Sequence, residues 1–291
     1  MVKHVLKYME AFPSELEEMV QTNPIAYVPF GALEWHSLHM VCGVDSLKAT
    51  QICRRSAEMT GGVLFPCVNW GAFSTMRFPF TFHFSKRRLK RMTKQILDQL
   101  YHMGFRILIL LTGHYPGAQI KQVRKAAQKI SKKYNDCYAL GIPEQALVAD
   151  LEYLGDHAAK WETSLMLAIN EGYVRLEDAP DGLSFSERAA RYGIMGRDPK
   201  SEASSQKGEK ILDAIVSRLA EAISRVRRTQ SIEPFEEIYA RYQKELKKLR
   251  SPDLSYLFKI QGIEGFGELK SFLKWWILNG KRYKPSNPNN E

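Results

Sequence analysis

Four side chains able to bind a metal ion lie within twelve positions of each other, at Glu34, His36, His39 and Asp45. Divalent cations of hard or borderline character bind this mixture of carboxylate oxygen and imidazole nitrogen. Because side chains alternate along an extended segment, Glu34 and His36 point to the same side. A surface glutamate beside a buried, hydrogen-bonded histidine would give the same short pattern, so this cluster needs support from other segments.

Two later segments supply that support. His114 follows an apolar run at residues 107–111, and Asp156, His157 and Glu162 lie together where another helix is predicted to start. The sequence therefore offers further imidazole and carboxylate groups that the fold could bring to the first cluster.

Short apolar segments alternate with amphipathic stretches, and these must position the polar clusters. Strands are predicted at residues 25–29, 63–68, 105–111 and 138–142, and helices at 46–59, 85–103, 116–134, 162–169 and 204–226. This alternation predicts an α/β fold, a three-layer αβα sandwich with a mostly parallel central sheet. Such sheets bind ligands at the carboxyl ends of their strands, where the polar clusters fall.

The pattern changes after residue 226. We predict a catalytic domain over residues 1–226 and a C-terminal extension over residues 227–291, helical and aromatic-rich, with a disordered end at 285–291. Residues 182–197 are rich in turn-forming residues.

Composition is that of an ordinary globular protein, with 44% hydrophobic and 25% charged residues among 291. The net charge of +10 includes a basic run at residues 86–91, which we interpret as a solvated helix face. No nucleic-acid-binding motif accompanies the run, so we expect no nucleic-acid partner.

The longest apolar run, residues 107–111, is far shorter than the roughly 20 residues needed to cross a bilayer, and no signal-peptide core is visible. We predict a cytoplasmic protein without a membrane partner. The four cysteines form no CxxC pair, which argues against a disulfide framework or a thiolate zinc site.

Several segments together resemble the creatininase (creatinine amidohydrolase) family, in which an E-x-H-G-P-H-L-P…D stretch, an N-G-H turn and an H-A-G-x-x-E-T-S turn recur in that order. The corresponding residues here are 34–45, 112–114 and 157–164. Residues 69–81 are similar to the family's Y-G-x-S…F-P-G-T segment, and residues 193–208 to its G-x-x-G-D-P…G stretch with Arg197 inserted. The resemblance covers roughly residues 15 to 226.

This resemblance implies a role for each matching residue. Glu34 and His114 would bind one divalent metal ion, His36 would bind the other, and Asp45 would bridge them. Two such ions, about 3.5 to 4 Å apart, would activate a shared water and polarise a substrate carbonyl. His157 would move protons, which suits an imidazole with an unperturbed pKa of about 6.5. Its alternative role is a hydrogen bond to the backbone at the helix start. Zinc, manganese and iron all accept this ligand set, and no further cofactor is implied.

The sequence departs from the family pattern at the second ion. Creatininase places a metal-binding glutamate two residues after the N-G-H histidine, where this chain has Pro116. Glu162 is our candidate replacement; alternatively it stabilises the helix start and water completes the ion's shell. By position, Ser74 and Tyr115 would contact the substrate, and His39 would orient a ligand. Because neighbouring pocket residues also differ, we expect a substrate other than creatinine.

The sequence thus predicts a metal-dependent amidohydrolase that cleaves a C–N bond of a small cyclic or linear amide with a water activated by two metal ions. Two alternatives are a peptidase that trims a modified peptide and a non-catalytic scaffold. The scaffold is disfavoured because five clustered polar residues are costly to bury without a metal. The resemblance also implies a homo-oligomer, since family members commonly form hexamers. The aromatic residues of the extension would pack on a neighbouring subunit or cover the chain's own core: Phe258, Phe266, Phe272, Trp275 and Trp276.

Overall fold

A computed structural model describes residues 5–72 and 76–279 of the chain. Five strands form its central sheet: β1 (Val5–Lys7), β2 (Ile25–Phe30), β3 (Gly62–Leu64), β4 (Ile107–Thr112) and β5 (Tyr138–Pro143). They lie in the order β1-β3-β2-β4-β5, and every neighbouring pair is parallel. The predicted parallel sheet is therefore confirmed.

Helices connect and cover the strands. In the described ranges they are α1 (Pro13–Thr22), α2 (Val44–Thr60), α3 (Lys86–His102), α4 (Gly117–Lys133), α5 (Lys160–Ile169), α6 (Phe185–Tyr192), α7 (Pro199–Glu202), α8 (Ser205–Thr229), α9 (Glu233–Leu249), α10 (Ser255–Gln261) and α11 (Phe266–Asn279). No helix of this described part is both long and apolar enough to cross a membrane.

Both faces of the sheet are buried, as alternate residues of β4 show. Ile107, Ile109 and Leu111 pack into one core with side chains of α2, α8 and α9. Leu108 and Leu110 pack into a second core with α3 and α4. A strand buried on both faces is apolar throughout, because neither set of alternating side chains meets water. The three-layer αβα sandwich is thus confirmed.

The C-terminal region contributes to the first of these cores. Phe235 and Tyr239 of α9 are buried there, and the Tyr239 hydroxyl hydrogen-bonds to the backbone of Gly141 in β5. Helices are present in this region, as predicted. The domain boundary after residue 226 stays a prediction, and the disorder predicted for residues 285–291 lies outside the described residues.

Some apolar side chains of the extension are packed against the chain, and others are exposed to solvent. Phe272 packs on Phe185 of α6, and Trp275 packs against a small buried cluster that includes Trp35. Phe266 and Ile277 are exposed. Part of the extension therefore covers the chain's own core, while the predicted packing on another subunit stays a prediction.

Three local predictions differ from the structure. The strand predicted over residues 63–68 is continuous only over Gly62–Leu64, since Pro66 has no N–H for a sheet hydrogen bond, and pairing resumes as a single bridge between Val68 and Phe30. The segment predicted to be turn-rich contains α6, which starts with a capping box between Ser184 and Glu187. The short β1 and the helix α1 were not predicted.

Candidate metal centre

Three connections at the carboxyl-terminal edge of the sheet carry the predicted site residues. The connection from β2 to α2 contains Glu34 and His36, and Asp45 lies in the first turn of α2. His114 follows β4, and His157 precedes α5. The structure brings these five side chains together at the edge where parallel sheets bind ligands.

His114, Glu34 and Asp45 form one group of side chains that could hold a metal ion. His114 Nε2 lies 3.0 Å from the Ala72 carbonyl oxygen, so Nε2 carries a proton, and in the neutral ring Nδ1 presents its lone pair. Nδ1 lies 2.9 Å from Glu34 Oε2 and 2.9 Å from Asp45 Oδ2. Burial lowers the pKa of His114, but the charges of Glu34 and Asp45 outweigh burial and raise this pKa well above its usual value. His114 Nδ1, Glu34 Oε2 and Asp45 Oδ2 are buried and all carry lone pairs, so they need a shared proton or a metal cation between them.

His36, Asp45 and Glu162 form a second such group. His36 Nδ1 lies 2.9 Å from the Glu34 carbonyl oxygen, so Nε2 is the nitrogen that faces the carboxylates. It lies 3.4 Å from Asp45 Oδ1 and 3.4 Å from Glu162 Oε2. Burial lowers the pKa of His36, but Glu162 and Asp45 outweigh burial and raise the pKa to about 9. Asp45 belongs to both groups, which is the arrangement that a bridging ligand requires.

Buried polar atoms without a hydrogen-bond partner border the space between the groups. Within the described residues they include Glu34 Oε1, His36 Nε2, Asp45 Oδ2 and His157 Nε2. Leaving such atoms unpaired is costly, whereas metal coordination would satisfy them. The donor set of imidazole and carboxylate suits zinc, manganese or iron. The residues therefore fit divalent metal ions, and the role of each as a ligand stays a prediction.

Glu162 takes part in both of the roles considered for it. Its Oε2 accepts a hydrogen bond of 2.8 Å from the Ala158 backbone N–H, near the start of α5, and also faces His36. Asp156 accepts hydrogen bonds from two further backbone N–H groups of α5 and so caps the helix. Burial and the charge of Glu162 raise the pKa of Asp156 to about 7. Because Asp156 satisfies other N–H groups of the helix start, Glu162 remains able to serve a metal ion.

The site also contains a buried cation, Lys48, for which no role was predicted from the sequence. Lys48 of α2 lies 2.6 Å from Glu162 Oε1 and 3.1 Å from Glu144 Oε1. A lysine is usually expected to reach water. Its position three residues after Asp45 and four before the core residue Ile52 was the available signal, because that spacing places Lys48 on the buried face of the helix.

His157 is half-buried and, with Glu34 and His36, forms a third group of side chains that could hold a metal ion. Its ring stacks on Phe78 with centroids 4.6 Å apart, and it lies 4.5 Å from the His36 ring. Backbone hydrogen bonds in both directions tie His157 to Met195, so the loop after α6 supports the loop that carries His157. Burial, and next the charge of His36, lower the pKa of His157. The neutral imidazole is therefore the form present near neutral pH.

The other predicted residues have different placements. Tyr115 lines the cavity, but its hydroxyl accepts a hydrogen bond from Lys48 and donates one of 2.7 Å to Glu144. His39 Nε2 lies 3.1 Å from the hydroxyl of Thr163, so His39 contacts the residue after Glu162, and its predicted role in orienting a ligand stays a prediction. Ser74 lies outside the described residues. The substrate contacts predicted for Tyr115 and Ser74 stay predictions.

A cavity of about 270 Å³ opens onto the two metal groups. Glu34, Asp45, His114, His157 and Glu162 all contribute to its wall. This volume is close to the lower end of the range for small-molecule sites, roughly 300–1,000 Å³. The arrangement can thus hold a small ligand against a buried cluster of carboxylates and imidazoles.

Comparison with known proteins identifies the family. Residues 10–223 match the family model of creatininase, described as creatinine amidohydrolase. The chain belongs to the creatininase family. The predicted resemblance is confirmed, and with it the assignment to a family of amidohydrolases.

Individual creatininases are similar over most of the chain. The creatinine amidohydrolase of Pseudomonas putida is 29% identical over 231 residues, which are 68% of this chain and 88% of that protein. A crystal structure of creatinine amidohydrolase superposes with a TM-score of 0.63 at 27% identity, covering 76% of this chain and 97% of the other. A creatininase variant complexed with creatine has a TM-score of 0.65 at 26% identity, and the match covers 78% of this chain and 100% of the other. Creatininase structures in a Zn-Zn form and with Mn also match.

The creatininase match ends before two residues of the cavity wall. Tyr242 of α9 and Gln261 of α10 line the cavity, although both follow residue 223. The motifs contain no signal for these contacts, because they depend on how α9 and α10 fold back over the sheet. Pro116, at the position of the glutamate missing from the family pattern, also lines the cavity and precedes α4.

Proposed function

We propose that this member of the creatininase family hydrolyses a C–N bond of a small cyclic or linear amide with two divalent metal ions, zinc or manganese. Glu34, Asp45 and His114 would hold one ion, and His36, Asp45 and Glu162 the other. The supporting observation is a set of buried carboxylate oxygens and imidazole nitrogens that lack a hydrogen-bond partner and lie around a cavity at the carboxyl ends of the strands. The Zn-Zn and Mn forms of related creatininases support the choice of metal.

The protein's own residues would carry the proton transfers. Two bound divalent ions would supply an activated water and polarise the substrate carbonyl. His157 lines the cavity and is neutral near neutral pH, so it can accept a proton from the attacking water and pass it to the leaving nitrogen. Phe78 stacks on this imidazole and holds its orientation.

The cavity favours a small substrate over the alternative of a modified peptide. Its volume of about 270 Å³ suits a compact amide, and an extended peptide would need a longer groove. The scaffold alternative does not explain the unpaired buried oxygens and nitrogens. Burying them is costly, and a scaffold without a metal would have no interaction to offset that cost.

An amide panel with controlled metal content tests the proposal. Purified protein, stripped with a chelator and then supplied with Zn²⁺ or Mn²⁺, is assayed for carboxylate and amine release from creatinine and other small cyclic and linear amides. We expect hydrolysis of at least one amide, its loss on chelation and its return with metal. Hydrolysis that chelation leaves unchanged would contradict the proposal, and a metal-loaded, folded protein inert toward the whole panel would favour the scaffold.

A further inference from the structure

Lys48 places a fixed positive charge beside the second metal group. Its ammonium lies 2.6 Å from Glu162 Oε1, 3.1 Å from Glu144 Oε1 and 4.0 Å from Asp45 Oδ1, and it donates to the Tyr115 hydroxyl. The side chain has no exposure to solvent. Water therefore screens this charge little, and its effect on nearby ions is stronger than that of a surface lysine.

The two metal groups have unequal relations to this ammonium. In the first group, Lys48 approaches only the shared Asp45, at 4.0 Å, and Glu34 has His114 as its partner. In the second group, Lys48 bonds directly to Glu162. A metal ion in the second group would have to share Glu162 with a cation already bound to it. Like charges held close in a buried site repel each other.

Other carboxylates near the second group do not remove this competition. Within the described residues the second group consists of His36, Asp45 and Glu162, and Asp45 serves the first group as well; the third group, of Glu34, His36 and His157, likewise takes its only carboxylate, Glu34, from the first. Glu144 bonds to Lys48 and to the hydroxyls of Tyr115 and Tyr153. Glu144 thus balances part of the lysine charge without belonging to either metal group.

We propose that Lys48 makes the two metal sites unequal, so that the Glu34, Asp45 and His114 site binds its ion tightly and the His36, Asp45 and Glu162 site binds its ion weakly and exchangeably. The inference rests on the proposed function, in that both groups take a divalent ion. The concentration of free metal around the protein then decides how much of it carries the second ion.

Two substitutions outside the ligand set should act in opposite directions. Lys48→Met removes the competing charge at similar length, so the second ion should bind at least tenfold more tightly. Glu144→Gln removes the other counterion of Lys48 and strengthens its hold on Glu162, so the second ion should bind more weakly. Tyr153→Phe is the matched control, because its hydroxyl contacts Glu144 and Tyr115 but neither metal group.

The measurement is a titration of the chelator-stripped protein with Mn²⁺ by isothermal titration calorimetry, with circular dichroism to confirm that each variant is folded. We expect two binding events in the wild type, at least tenfold apart in affinity, closer together in Lys48→Met and further apart in Glu144→Gln. The Tyr153→Phe titration should match the wild type. If Lys48→Met does not fold, Glu144→Gln carries the test.

Three outcomes would overturn the inference. Two equal affinities in the wild type would show that Lys48 does not distinguish the sites. A weaker second ion in Lys48→Met would show that the lysine positions Glu162 instead of competing for it. If the second ion bound to Glu144→Gln as tightly as to the wild type, the charge of Lys48 would have no effect on metal binding. A wild type that binds neither Mn²⁺ nor Zn²⁺ would instead refute the proposed function itself.

Discussion

The orientation of two imidazole rings decides which atoms can face a metal ion. His36 and His114 each direct one ring nitrogen to a backbone carbonyl, of Glu34 and Ala72 respectively, and the other nitrogen to carboxylates. Because the carbonyl can only accept, it fixes the tautomer of the neutral ring, in which the inward nitrogen carries the lone pair. Backbone geometry therefore prepares both rings for coordination.

His157 is the residue whose protonation should limit activity at low pH. Burial and the charge of His36 lower its pKa, so the imidazole is still a neutral base at pH 6.5. Acidification below that pH protonates it and should remove activity. In His157→Asn we expect kcat to fall by about 10²- to 10⁴-fold and the remaining activity to lose this acid limb. Steady-state kinetics across pH, with elemental analysis of each preparation, make the measurement.

A control separates proton transfer from metal binding at His157. The metal content of His157→Asn should equal that of the wild type if the imidazole moves protons. A variant that keeps its kcat, or that loses a metal ion, would contradict the assigned role.

Residue types explain which parts of the site could be predicted from sequence. Glu34, His36, Asp45 and His114 have side chains suited to metals and follow predicted strands, so sequence placed them near one another. Lys48 was missed because a lysine within a helix is expected to reach solvent; its spacing from Asp45 and Ile52 indicates the buried face, but its contacts with Glu162 and Glu144 are visible only in the structure. Sequence carries no direct record of such tertiary contacts.

At the scale of elements, the end of β4 and the start of α2 must approach very closely. A Cβ built on Gly113 would overlap the backbone carbonyl oxygen of Asp45, whereas glycine allows the contact. This approach places His114, the next residue, against the Asp45 carboxylate. The Thr-Gly-His turn thus depends on a glycine for packing as well as on the histidine for chemistry.

Gly113→Ala should therefore lower both stability and metal affinity. Crowding of this kind in a packed region typically costs about 1–3 kcal/mol, and the shift would move Asp45 away from His114. Gly117→Ala is the matched control, since nothing lies within 4 Å of a Cβ there. Denaturant unfolding and Mn²⁺ titration would measure both effects. A Gly113→Ala protein as stable as the control, with unchanged metal affinity, would show that the contact does not matter.

Elements were predicted well where apolar periodicity was strong. β4 and β5 are buried over nearly their whole length, and their apolar runs gave bounds within two residues of those observed. β1 spans three residues, too few for a periodic pattern. The helix α6 has eight residues within a segment rich in turn formers, so its capping box was the only strong signal of its start.

At the scale of the whole molecule, the site draws on distant parts of the chain. The creatininase match supplies the metal groups and His157, and α9 and α10 add Tyr242 and Gln261 to the cavity wall. The identity of the substrate should therefore depend partly on residues beyond the family match. The predicted cytoplasmic location and homo-oligomeric state stay predictions.

The proposed activity depends on a two-metal site bridged by Asp45. The most direct test is equilibrium dialysis of the wild type and Asp45→Ala against excess Mn²⁺, followed by elemental analysis. Glu58→Ala, which removes an exposed carboxylate from the same helix, is the control. We predict about two ions per chain in the wild type and the control, and loss of both in Asp45→Ala, as a shared ligand requires. A wild type without metal, or an Asp45→Ala protein that keeps both ions, would contradict the account.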